Sequence, residues 1–179
     1  LHSLSSDVGS KVNPIVVQAG IVNATGTNVY LKSLKGMNVG VIAATNYVSM
    51  QAGGDVTSAL VQGGVNIAAL RLELTTPGNI GTASTPLMLN VSGITMTGGN
   101  IWLHSISGDM IAEKLSGKAV VISALGGISR GVIYATALMI NAYGFVGSAN
   151  NPLTISVPRT VSITSGIGTV YCRNLRGVT

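Results

Sequence analysis

The chain has 179 residues, of which 46% are hydrophobic, 8% charged and 4% aromatic, with a formal net charge of +5. That apolar content excludes a disordered polymer, and a single cysteine excludes an internal disulfide framework. The 24 glycines, with a core drawn from Val, Ile, Leu, Ala and Met, favour many short strands and tight turns over helices, whose charged i, i+4 faces are missing.

In chain order, the first pattern is Asp7-Val8-Gly9-Ser10 followed by Asn13-Pro14-Ile15. Glycine, small polar residues and a proline mark a turn, after which Ile15-Val16-Val17 opens a strand. A second block, Val29 to Gly36, alternates: Val29, Leu31 and Leu34 are expected to point inward, and Tyr30, Lys32 and Lys35 outward. Both patterns recur. Asn79-Ile80-Gly81-Thr82 with Thr85-Pro86-Leu87 leads to Ile101-Trp102-Leu103-His104-Ser105-Ile106-Ser107-Gly108. Phe145-Val146-Gly147-Ser148 with Asn151-Pro152-Leu153 leads to Val170-Tyr171-Cys172-Arg173-Asn174-Leu175-Arg176-Gly177.

Pro14 to Pro86 is 72 residues and Pro86 to Pro152 is 66, which divides the chain into copies at about 7–78, 79–144 and 145–179. Most solenoid repeats run about 20 to 50 residues, so each unit is expected to hold about three coils of roughly 20. The fold class expected is all-β: one right-handed parallel β-helix of about nine coils, forming a rod on the order of 43 Å long. Shifted by 72, Leu1 falls within a strand and Thr179 just follows a turn glycine, so the segment reads as cut from a longer array or as a subunit that stacks end to end. A secretion signal is expected to have been removed or to lie upstream.

The uncharged stretch 131–158 is long enough to raise a membrane span. A shift of 66 residues sets Ile133 to Ile140 on Ile67 to Leu74, which carries Arg71 and Glu73, and this argues against a span.

The motifs, Val/Ile-Gly-Ser/Thr, then Asn/Thr-Pro-Leu/Ile, an apolar strand, and an aromatic-bearing strand ending in glycine, resemble the repeats of large secreted bacterial exoproteins of the filamentous haemagglutinin and autotransporter adhesin type. The resemblance covers nearly the whole chain. It implies a right-handed parallel β-helix at the cell surface, serving as an adhesive stalk. Two departures stand out: Phe145 replaces the Asp7 and Asn79 of the other copies, and three extra residues lie between Pro152 and Tyr171.

Chemistry is sparse. The acids are Asp7, Asp55, Glu73, Asp109 and Glu113, and no two recur at a coil-like spacing with an evident partner. Asp55 and Asp109 follow glycines and read as turn residues. Cys172 falls where Leu31 and Leu103 stand in the other copies, which marks a core thiol. His104 takes the outward place of Lys32 and Arg173, a solvated position. The glycine pairs 53–54, 63–64, 98–99 and 126–127 lack the Lys-Ser/Thr of a phosphate loop and the aspartates of calcium-binding solenoids. No catalytic residue, cofactor or metal ligand is therefore expected.

The candidate contact surface is a basic aromatic strip of Tyr30, Lys32, Lys35, Trp102, His104, Tyr171, Arg173 and Arg176 on one outer face, suited to anionic glycans or an acidic cell surface. The expected role is a non-enzymatic stalk of a secreted or surface protein, partnered by further copies of the repeat stacked end to end, without nucleic acid or a membrane span. The alternatives are a small subunit that polymerises into an extracellular filament and, third, a carbohydrate-active β-helix enzyme using Asp55, Asp109 or Glu113.

Overall fold

The computed structural model describes residues 1–3, 6–18, 20–60, 63–106 and 108–176. The Ser107 and Gly177 ends of two repeat blocks, and Thr179, lie outside these. The described residues form fourteen strands and no helix: β1 (Ile15–Val16), β2 (Val22–Ser33), β3 (Met37–Ala52), β4 (Val56–Ser58), β5 (Ile67–Thr75), β6 (Leu87–Thr97), β7 (Asn100–Ser105), β8 (Met110–Ser116), β9 (Ala119–Ala124), β10 (Ile128–Tyr134), β11 (Ala137–Ala142), β12 (Leu153–Ser156), β13 (Thr160–Ser165) and β14 (Cys172–Asn174). Every strand pairing is parallel, and all fourteen strands belong to one hydrogen-bonded sheet that winds back over itself. This is a β-solenoid.

One inward column counts the coils: Ile15, Leu31, Met50, Leu74, Met96, Leu115, Ile133, Ile155 and Asn174 are successive partners. Those nine stations enclose eight turns rather than nine. The expected count assumed a uniform coil, whereas a turn here ranges from 16 residues (Ile15 to Leu31) to 24 (Met50 to Leu74), because loops swell some coils. At about 4.8 Å per rung, eight turns rise roughly 38 Å.

Alternation fills the interior. Leu31, Met50, Leu74, Met96, Leu115 and Ile133 are all buried, as are Ile80, Ile101, Val120 and Leu138 in another column. Stacked aliphatics fit rungs this close, which is why so few rings are needed. The block-two reading fails at Leu34, which is 65% exposed. Ser33 takes the inward place instead, donating from Oγ to the Gly36 carbonyl at 3.1 Å, so the chain turns a corner and swings Leu34 outward.

Glycines 53–54, 98–99, 117 and 126–127 are corner residues. A Cβ on Gly54 would lie 3.1 Å from the Gly36 nitrogen, and one on Gly117 2.9 Å from the Gly99 oxygen, since successive corners stack backbone on backbone. Beside them run short amide ladders. Asp7 Oδ1 accepts from Asn28 Nδ2 at 2.8 Å, and Asn28 Oδ1 in turn accepts from Asn46 Nδ2 at 2.9 Å. Asp55 Oδ1 accepts the Asn79 N–H at 2.7 Å and Asn79 Oδ1 accepts the Asn100 N–H at 2.9 Å. Inside the coil, fully buried Asn66 donates to the Val39 and Gly40 carbonyls and accepts the Met88 N–H, linking three consecutive coils.

The repeat has a clear structural meaning. Val8 bridges Val29, Ile80 bridges Ile101, and Val146 bridges Val170, so in each copy the first block stacks directly on the second. Where the second block passes straight from Val29 to Leu31, the first makes a seven-residue excursion from Val8 to Ile15, an outward loop that rejoins the same ladder. The loops share one conformation: Ser10, Thr82 and Ser148 donate from N–H to the carbonyls of Asn13, Thr85 and Asn151 at 2.9, 3.0 and 3.0 Å. Their side-chain oxygens accept the N–H of those same residues at 3.0, 2.9 and 3.1 Å. In the third copy Phe145 cannot make the carboxylate or amide contact of Asp7 and Asn79, and Thr169 rather than an asparagine lies opposite it.

The repeat is not a whole number of coils. Val8, Val29, Val48 and Leu72 are three coils apart, and Ile80 lies eight residues beyond Leu72. Likewise Ile80, Ile101, Val120 and Leu138 span three coils, and Val146 lies eight residues beyond Leu138. Each copy therefore overshoots three coils and emerges on a different side. The shift that set Ile133 to Ile140 on Ile67 to Leu74 also crosses a corner: β5 runs unbroken, whereas the later segment turns between β10 and β11. Stretch 131–158 is strand and corner, and among the described residues no helix is long and apolar enough to cross a membrane.

Candidate functional site

The overshoot disperses the expected strip. Tyr30 and Lys32 stand on β2, beside Ser49 and Gln51 of the next coil. Trp102 and His104 stand on β7, in columns that continue to Val121 and Ser123 on β9 and lie on another side of the coil. Tyr171 and Arg173 belong to the last coil, with Arg173 beside Thr154, while Lys35 and Arg176 are exposed corner residues. The eight residues therefore do not form one surface. Cys172 is half-buried beside Leu153, and its burial pushes the thiol pKa up, so it is a protonated packing group at neutral pH. Asp55 and Asp109 accept backbone N–H groups one coil on, at 2.7 and 2.8 Å, as turn residues do.

What the structure does bring together is a cluster around Tyr30 that spacing did not reveal. Two outward columns carry it. One runs Tyr30, Ser49, Glu73, Thr95, Lys114; the other runs Tyr47, Arg71, Gly93, Ile111. The Tyr30 and Tyr47 rings lie 5.8 Å apart between centroids, tilted by 56°. Tyr47 donates its hydroxyl to Glu73 Oε2. Lower on the face, Arg71 Nε reaches Glu113 Oε1 at 3.7 Å across the glycine that separates them. A Cβ at Gly93 would sit 3.1 Å from that same carboxylate oxygen, so the glycine lets the Arg71–Glu113 pair close over the strand between them. The result is a shallow depression of about 180 Å³ lined by Leu70, Arg71, Ser92, Gly93, Ile111 and Glu113.

A bulge brings Lys114 to the outer side of the site. Gly93 pairs with Ile111 but Thr95 pairs with Lys114, so β8 holds one residue more than β6 between these points. Strict alternation from Ile111 would turn Lys114 inward and Leu115 outward. The extra residue restores Leu115 to the core and leaves Glu113 and Lys114 adjacent and both exposed. No sequence period announces this bulge, and Arg71 reaches Glu113 only across two coils of unequal length.

Comparison with protein-family models, with curated proteins and with solved structures gives no match for this chain. The face is thus read from its own chemistry. The Tyr47 pKa is pushed up to about 12, first by burial of the phenol and then by its hydrogen bond to Glu73. Tyr47 is therefore a neutral donor at physiological pH, not a base. Since the folded-state value lies above the ordinary 10.0, the stabilisation this implies is complete below pH 10 and is lost as the pH rises through about 12. A phenolate absorbance titration is expected to contain one late-titrating tyrosine, absent in Tyr47→Phe and shifted back toward the ordinary range in Glu73→Gln. No such component in the parent chain would contradict the contact.

Proposed function

We propose that this solenoid is a non-enzymatic structural and adhesive segment of a secreted or cell-surface bacterial protein, a rigid stalk presenting a lateral contact face. The observation that carries the reading is the single parallel sheet that winds through eight turns around a filled aliphatic interior. Such a design places stiffness along the axis and leaves chemistry to the outer strand surfaces and loops. The resemblance of the repeat to large exoprotein adhesins supports the same reading at the level of the repeat alone. In this proposal the stacking partners are further copies of the repeat, and the contact partner is a neighbouring cell or matrix.

A second reading is an extracellular filament of small subunits stacked coil on coil, in which the same parallel ladder would continue from one subunit to the next. One experiment separates the two. An antibody against the 81–86 loop, exposed at residues 83–85, is applied to intact source cells, and the native product is then sized by immunoblot. Surface labelling of a product far above 18.1 kDa supports the stalk, whereas labelling of an 18.1 kDa product recovered in filaments supports the second reading. Signal appearing only after the cells are opened would sink both.

A further inference from the structure

We propose that the outer face centred on Tyr47 binds an uncharged oligosaccharide lying along the solenoid axis. The inference rests on the adhesive reading above and specifies what that face would recognise. Three features point to it.

The face combines rings with hydrogen-bonding groups on a flat, parallel scaffold. The tilted Tyr30–Tyr47 pair offers apolar ring faces to the C–H side of a sugar, while Glu73, Thr95 and Arg71 offer acceptors and donors to its hydroxyls. From the Tyr30 coil to the Glu113 coil the face climbs four rungs. Each rung rises about 4.8 Å, close to what one hexose contributes to an extended chain, so successive sugars meet successive rungs.

At the centre of the face the charges balance, and Lys32, at its edge beside Gln51, adds one positive charge. Arg71 is paired with Glu113, and Glu73, held by Tyr47, shares its column with Lys114. An ionised ligand of either sign would meet a like charge beside each opposite one, whereas a neutral polyol meets none of that repulsion. This is the opposite of what the dispersed basic strip would have selected.

The face also has a built depression. Beside the Arg71–Glu113 pair lies a gap of about 180 Å³, bordered also by Leu70, Ser92 and Ile111. Such a gap admits a ring or a hydroxymethyl group beside a carboxylate and a guanidinium.

The test is calorimetric titration of the purified chain with cellohexaose, chitohexaose and maltohexaose, and with a heparin hexasaccharide as the anionic comparison. The expected result is saturable binding of at least one neutral hexasaccharide, little changed by added salt. Binding should weaken at least tenfold in Tyr47→Ala and in Arg71→Ala and be unchanged in Trp102→Ala, which alters another side of the coil. Arg71 is exposed and Tyr47 half-buried on the outer face, and an unchanged circular dichroism spectrum separates loss of binding from loss of fold. Absence of binding to all three neutral sugars, binding to heparin alone that salt abolishes, or binding that survives Tyr47→Ala would overturn the proposal. Surface labelling of cells could still succeed in that event, so failure of the sugar site and failure of the stalk reading are distinguishable.

Discussion

Gly81→Ala is expected to lower stability by roughly 3 kcal/mol, combining left-handed strain with a backbone clash. Gly81 has φ = 68°, and a Cβ there would lie 2.5 Å from the Trp102 carbonyl oxygen and 2.8 Å from the Leu87 nitrogen. Neither atom can yield cheaply, because the strand beneath the loop is held by the Trp102 N–H to Ile80 O bond at 2.8 Å. For a chain of this length that loss corresponds to a melting temperature lower by roughly 6 to 12 °C. Gly9 and Gly147, with φ of 73° and 66° and the same approach to the carbonyls of Tyr30 and Tyr171, should respond in the same direction. Gly108→Ala, where a Cβ meets nothing within 4 Å, serves as the control and should leave the melting temperature nearly unchanged. A tolerated Gly81→Ala would mean that the loop does not sit on the block-two strand as described.

Asn66→Asp is expected to cost more, although it changes a single heavy atom. The Asn66 Nδ2 donates to Val39 O at 2.8 Å and Gly40 O at 3.2 Å, while Oδ1 accepts the Met88 N–H at 3.0 Å. The side chain is fully buried. A carboxylate there could still accept from Met88 but would confront two carbonyls with no proton to give. The Val39 carbonyl would keep the Ala59 N–H at 2.8 Å, so the cost lies in a lost donor, worth about 1 to 3 kcal/mol, and in a buried charge set against two carbonyl oxygens, and a loss of roughly 4 kcal/mol or more is expected near neutral pH. Because burial favours the neutral acid, the folded-state pKa of the introduced group should lie above its unfolded value of about 3.9. The variant should therefore regain stability as the pH falls through that raised value, since the protonated acid can donate to one carbonyl. Denaturant unfolding of the variant and the parent chain across pH 4 to 7 reads this directly. A variant equally destabilised at every pH, or not destabilised at all, would contradict the interior ladder.

The fold was legible in the sequence because its cause is local and repeated. The Val-Gly-Ser and Asn-Pro-Leu motifs mark an excursion from a ladder, and block two shows the ladder itself, so inward Val29 and Leu31 alternate with outward Tyr30 and Lys32 as read. Three features were hidden. The eight-residue overshoot depends on how many residues each coil consumes, which corners and loops decide and a sequence period does not. Leu34 was misplaced because a serine can hold an inward corner position when its hydroxyl caps a carbonyl. The Tyr47, Glu73, Arg71 and Glu113 cluster escaped notice because its members come from three coils of unequal length and meet over a glycine that permits close approach but carries no chemistry. Of the expected contact residues only Tyr30 and Lys32 stand beside that cluster: Arg173 ends the same outward column three coils beyond Lys114, and motif equivalence carried the other five to other sides, corners or the last coil.

The most direct test of the account is the placement of the three loops, measured as pairwise distances between spin labels at Lys11, Ala83 and Ala149, equivalent and exposed loop positions, in a Cys172→Ser background. The overshoot predicts that Lys11–Ala83 and Ala83–Ala149 both exceed the roughly 14 Å rise of three rungs by a substantial part of the coil's width. Two distances both near 14 Å, with Lys11 to Ala149 near twice that value, would mean that the loops form one aligned ridge, that each repeat is three whole coils, and that the register described here is wrong.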